Sequence, residues 1–203
     1  MGFEPTKLAQ RICNPLHLTT LAPGRGPGLG FNANIPLPAG TYDEAFLLAF
    51  ERAALPLVRA YRPDVIVLEL GMDTLAGDPL THLQTTNNIV VDVLHALMRF
   101  ECPLLVAGGG GYHIENTVRA WMLAWQTCLG ETEDDTSYMG LGGVMLGSSE
   151  WAGGLRDRHR SVSNQQRAAV DAELHLTLER LGAQLFPYHS LLPQSACCTT
   201  INN

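Results

Sequence analysis

The stretch "RPDVIVLELGMDTLAGDPL", residues 62–80, decides the fold. Pro63 and Asp64 end whatever helix precedes them, and Val65 to Leu70 are apolar except for Glu69. A short, near-continuous apolar run bounded by turn residues predicts a parallel strand buried on both faces. The run stops at Gly71 and then presents Asp73 and Asp78. A carboxylate at the mouth of a strand is either a metal ligand or a former of turns and helix caps. Local rules favour the turn for both, and Asp78, directly before Pro79, fits it well.

The same alternation of signals extends both ways. Downstream, "TTNNIVVDVLHALMRF" (85–100) places Ile89, Val93 and Leu97 on one helical face. "CPLLVAGGGG" (102–111) reads as a second buried strand, ending in four glycines. "IENTVRAWMLAWQTCLG" (114–130) is a third helix, with Gly130 at its C-cap. Upstream, "AGTYDEAFLLAFERAALPLVRAY" (39–61) predicts a helix, with Thr41 as N-cap and Glu44 at capping-box spacing. Phe46, Phe50, Ala53 and Leu57 share one face of it, and Pro56 should kink or divide it. "FNANIPLP" (31–38) alternates enough for a short strand, which Pro36 and Pro38 push toward a sheet edge or exit. "APGRGPGLG" before it is a loop. Strand and helix thus alternate over 31–130, which implies an α/β fold with a mostly parallel sheet and flanking helices. Beyond 130 come an acidic turn, "GETEDD", a Gly-rich stretch, a polar helix at 163–182 and a tail.

With 203 residues the chain can bury one substantial core, and length alone does not call for a second domain. An apolar fraction of 46% with 16% charged residues is that of a globular protein. The net charge of -7, with no basic run, argues against a nucleic-acid partner. No segment is apolar for long enough to cross a membrane, and the N-terminus lacks the apolar core of a signal peptide. The five cysteines, Cys13, Cys102, Cys128, Cys197 and Cys198, have no CxxC spacing, which fits reduced thiols in a cytoplasm.

In open α/β sheets, sites gather at the carboxyl ends of the strands. If the two strands are neighbours, Asp73, Asp78 and Tyr112 project from one edge. The glycine run invites a dinucleotide reading, yet counting GxGxxG from Gly108 puts His113 in the sixth position, and there is no GK[ST]. Glycines equally let a substrate or a neighbouring chain segment approach the backbone. Tyr112 is either a core aromatic or a hydroxyl donor to a polarised carbonyl. Of the seven histidines only His113 lies beside the candidate site.

Taken together, "GLGFNANIPLPAGTYDEAFLLAFERAALPLVRAYRPDVIVLELGMDTLAGDPLTHLQTTNN" and "PLLVAGGGGYHIENTVRAW" resemble the C-terminal half of the zinc-dependent histone deacetylase family. The GxDxxxGDP loop followed by GGGGY and RAW looks closest to the class I and bacterial acetoin-utilisation branches. The resemblance implies an arginase/deacetylase-like fold, incomplete here, and a hydrolase that removes acetyl from acetyl-lysine or an acetylated amine. It implies zinc, with Asp73 as one ligand, Tyr112 as the catalytic hydroxyl on the acetyl carbonyl, and Leu80, Gly110 and Gly111 beside the acyl substrate.

The segment boundaries it suggests are an unmatched 1–27, a deacetylase-like 28–130, a completing 131–185 and a tail at 186–203. The family's His-His pair and Asp-x-His pair have no counterpart in this sequence. The expectation is therefore a partial chain, inactive alone, that a complementing N-terminal half would complete. A non-catalytic remnant or binding module and a nucleotide-binding α/β domain are the competing expectations.

Overall fold

The computed structural model describes residues 23–131 and 154–191. The acidic turn, most of the Gly-rich stretch, the tail, Cys13, Cys197 and Cys198 lie outside the described residues. Cys102 and Cys128 are free thiols.

Strand β1 (Ile66–Leu70) pairs in parallel with β2 (Leu104–Gly108), in a register running from Ile66 opposite Leu104 to Leu70 opposite Gly108. Helix α3 (Asn88–Met98) connects them. Because both strands end together, the segments that begin at Gly71 and at Gly109 leave the sheet at one edge. The order of elements yields a parallel α/β unit, as the alternation of signals predicts.

Before β1 the chain forms α1 (Asp43–Ala49), a π-helical turn (Phe50–Ala54) and α2 (Leu55–Tyr61). Pro56 has no amide for the carbonyl four residues back, and its ring crowds that carbonyl. The wider π turn relieves the conflict: the Leu55 amide reaches the Phe50 carbonyl instead. The helix is divided there without losing its direction. It ends at Arg62, which takes a left-handed φ of 50° ahead of Pro63.

Three local expectations are corrected. The N-cap of α1 is Tyr42, without a side-chain cap, while the Thr41 hydroxyl donates to the Pro38 carbonyl at 2.7 Å. No strand forms over 31–38. Pro36 and Pro38 cannot donate to a ladder, and the chain is tied instead by the amides of Gly40 and Gln84, which donate to the carbonyls of His82 and Thr41. The sheet is buried on one face only. Ile66, Leu68, Leu70, Leu104 and Val106 pack into the core, whereas Val67 and Leu105 stand exposed.

The core has two clusters. One joins α1, the π turn and α2 to α3 and to α5 (Asn164–Gln184), through Phe50, Ala53, Leu57, Val93, Leu97, Val170, Leu174 and Leu181. Across this joint the Tyr42 hydroxyl donates to Asp171 at 2.5 Å, and the Arg167 guanidinium lies 4.6 Å from the Tyr42 ring centre. The second cluster sits beneath the strand ends. It gathers Leu70, Met72, Leu75, Val90, Leu94, Ala120 and Ala124, the last two from α4 (Ile114–Leu129). Helix α4 closes at Gly130, whose φ of 72° is the left-handed cap expected. Among the described residues no helix is long and apolar enough to cross a membrane.

Candidate functional site

The site is built where β1 and β2 end. The Met72 amide donates to the Gly110 carbonyl at 2.7 Å, which continues the pairing of the two chains past the strands. The glycines make this approach possible. A Cβ on Gly109 would lie 3.0 Å from the Gly71 Cα, and one on Gly110 would lie 2.6 Å from the Asp73 Cγ. Gly111 has a φ of 138°, and a Cβ there would meet the Thr117 Oγ1 at 2.7 Å and the Met72 Cβ at 3.0 Å. Of the roles open to the glycine run, the geometry selects close approach of a neighbouring segment. The Asp73 side chain fills the space beside the Gly110 backbone, which leaves no room there for a phosphate and opposes the nucleotide reading.

Asp73 is buried, and its carbonyl accepts from the Thr81 hydroxyl. Asp78 is buried as well and does more than shape its own turn. One carboxylate oxygen accepts from the Leu80 amide at 2.8 Å, the Asx-turn contact that its sequence context suggests. The other accepts from the Tyr112 amide at 2.7 Å, 34 positions away. One buried carboxylate thus fixes the backbones that carry Leu80 and Tyr112. Both of those side chains are about half exposed, at 52% and 54%. Sequence reasoning assigned Asp78 to the loop alone; only pairing of the strands reveals the second bond.

The start of α4 is held to the same loop. His113 is its N-cap, and its Nδ1 accepts from the Asn116 amide at 3.4 Å, while the Asn116 side-chain amide donates to the Ala76 carbonyl at 3.2 Å. Behind the site, Asn87 exchanges hydrogen bonds with Asp157: the Asp157 amide donates to Asn87 at 2.8 Å, and the Asn87 amide donates to the Asp157 carboxylate at 3.0 Å. Arg119 pairs with that carboxylate at 2.6 Å. The "TTNN" and "RAW" residues therefore pin the 155–157 segment across α3 and α4 and keep both helices in place under the strand ends.

Each residue singled out from the sequence is at this edge. Asp73, Gly110 and Gly111 lie in one packed group, and Leu80 and Tyr112 are joined through Asp78. A catalytic zinc ion takes three protein ligands and keeps one open position. Among the described residues no three His, Cys, Asp or Glu side chains come together in a way that could hold a metal ion. The described residues alone do not fit the ion.

Comparison with known proteins gives a consistent result. The family model for the histone deacetylase domain matches residues 15–128. Histone deacetylase 8 of Xenopus tropicalis is 34% identical over 109 residues, which is 54% of this chain and 30% of that protein. The acetoin utilization protein AcuC of Bacillus subtilis (strain 168) is 42% identical over 108 residues, covering 50% of this chain and 28% of its own. The chain thus spans about a third or less of the length of the curated relatives it matches. Among solved structures, a histone deacetylase homologue complexed with SAHA superposes with a TM-score of 0.62 at 28% identity, over 80% of this chain and 46% of that one. The histone deacetylase Clr3 shares the fold with a TM-score of 0.60 at 21% identity, over 82% of this chain and 24% of its own.

Proposed function

The chain belongs to the histone deacetylase family, and from that premise we propose that it contributes one side of a zinc-dependent deacetylase site without completing it. The substrate class is acetyl-lysine or an acetylated amine. The observation that carries the reading is the single edge at which Asp73, Leu80, Gly110, Gly111 and Tyr112 meet, with Asp78 accepting from the amides of both Leu80 and Tyr112. In this reading Asp73 supplies one carboxylate to the metal. Tyr112 offers its hydroxyl to the acetyl carbonyl, and Leu80 with the glycine pair borders the acyl group. A preorganised hydroxyl donor aimed at a developing oxyanion is worth about 10²–10³ in rate. Zinc, when held by a complete ligand set, supplies Lewis-acid chemistry. The other ligands and the proton-handling groups come from outside the described residues, and the chain acts in a cytoplasm.

The test uses the purified full chain, with metal content and turnover of an acetyl-lysine peptide measured side by side. Zinc well below one equivalent and no turnover are expected from the chain alone. One tightly held zinc together with measurable deacetylation would overturn the claim that the site is incomplete.

A further inference from the structure

Tyr112 follows four consecutive glycines, the last three of them, Gly109 to Gly111, beyond the end of β2. Glycine has no side chain to pack and leaves the backbone its widest freedom, so these residues anchor Tyr112 only through main-chain bonds. The Tyr112 ring is about half exposed, and burial alone does not fix it. Two bonds tie the segment to the β1 side. The Met72 amide donates to the Gly110 carbonyl, and the Tyr112 amide donates to the Asp78 carboxylate at 2.7 Å.

The carboxylate is itself held from its own loop. Asp78 is buried, its amide donates to the Leu75 carbonyl at 3.2 Å, and its other oxygen closes the turn with the Leu80 amide. The Thr81 hydroxyl then ties that loop to the Asp73 carbonyl. The Asp78 carboxylate is thus a strut between a tied loop and a glycine segment. Only a carboxylate suits the place, because both of its oxygens accept, whereas a carboxamide has one acceptor and one donor end.

We propose that Asp78 is a positioning residue, which sets the spacing between Leu80 and the Tyr112 hydroxyl so that the two keep one relative placement. What Leu80 and Tyr112 then do rests on the deacetylase reading above; the strut belongs to the chain alone. Placement matters because a donor set about 1 Å off its target forfeits much of its effect. The substitution Asp78→Asn separates the two bonds. The turn with Leu80 is local and suits Asn, so the remaining oxygen keeps that amide. The new NH2 group then faces the Tyr112 amide, donor against donor, and the long-range bond is the one that breaks.

The experiment records backbone relaxation on the full 203-residue chain, unaltered, as Asp78→Asn and as Val170→Ala. Val170 is buried on α5 in the other core cluster, so its truncation weakens packing without touching the strut. The Tyr112 amide is expected to show an order parameter near a rigid ~0.85 in the unaltered chain and in Val170→Ala, and below ~0.6 in Asp78→Asn. Leu80 should stay rigid in all three. With 3-fluorotyrosine incorporated and the signal assigned through Tyr112→Phe, the Tyr112 fluorine line should move only in Asp78→Asn. A rigid Tyr112 in Asp78→Asn overturns the proposal. So does equal loosening in Val170→Ala, which would reduce Asp78 to one stabilising contact among many. Should Asp78→Asn fail to fold, the unaltered chain carries the test: a coupling through the hydrogen bond, from the Tyr112 amide nitrogen to the Asp78 carboxylate carbon, is expected, and its absence overturns the strut. Titration with an acetyl-lysine peptide separates the two readings. A peptide that perturbs neither Leu80 nor Tyr112 defeats the deacetylase reading, while relaxation still decides the strut.

Discussion

Asp78 and Asp73 are both buried aspartates five residues apart, yet their surroundings differ. Asp78 accepts two backbone amides, and removing it strands both donors. Each buried hydrogen bond to a charged group is worth about 1.5–3 kcal/mol. Asp78→Ala should therefore cost about 3 kcal/mol in chemical denaturation. Asp78→Asn, which retains one good acceptor, should cost roughly half of that. Loss of the downfield amide resonance of Tyr112 in both variants would locate the effect. Neighbouring glycines also separate. Gly110→Ala drives a methyl into Asp73 and should destabilise the chain by about 1–3 kcal/mol, like other overpacked sites. Gly108→Ala meets nothing nearer than 3.8 Å from Trp121, so its thermal midpoint should hardly move. Equal losses in the two alanine variants would contradict the packing described for the glycine loop.

At the level of elements, the joint between α1 and α5 depends on one phenol. Burial, reinforced by the Asp171 carboxylate, pushes the Tyr42 hydroxyl up to about 12 from an ordinary 10. A folded pKa above the unfolded one contributes stability that is complete below pH 10 and is lost as the pH rises through 12. Unfolding free energy should accordingly fall by about 2 kcal/mol between those limits. Tyr42→Phe should flatten most of that fall, leaving a shallower slope from Tyr61, which burial also raises. Much of this layer was legible in the sequence. Val65–Leu70 and the run ending in four glycines announced the strands, and Ile89, Val93 and Leu97 announced α3. What misled were residues with two possible partners. Thr41 had capping-box spacing but found the nearer Pro38 carbonyl. The 31–38 segment had the alternation of a strand but prolines where donors were needed. Asp73 and Tyr112 were legible as a pair only through a family pattern, because 39 positions of sequence hide that their strands end side by side.

For the molecule as a whole, the bond from Asp78 to the Tyr112 amide has a kinetic consequence. It closes a loop of 34 residues, whereas the bond from Tyr42 to Asp171 closes one of 129. The difference in closure entropy is about 1 kcal/mol, enough to favour the shorter loop several-fold on a search-limited path. The β1–α3–β2 unit should therefore form first during refolding, with α5 arriving later. Pulsed hydrogen exchange should show the Tyr112 amide protected before those of Val170 and Leu174; simultaneous or reversed protection would count against this order. If it holds, a nascent chain acquires the relative placement of Asp73 and Tyr112 before the ribosome has released α5. That placement would then be set by closure of the shorter loop within the chain itself, before the joint between α1 and α5 is made.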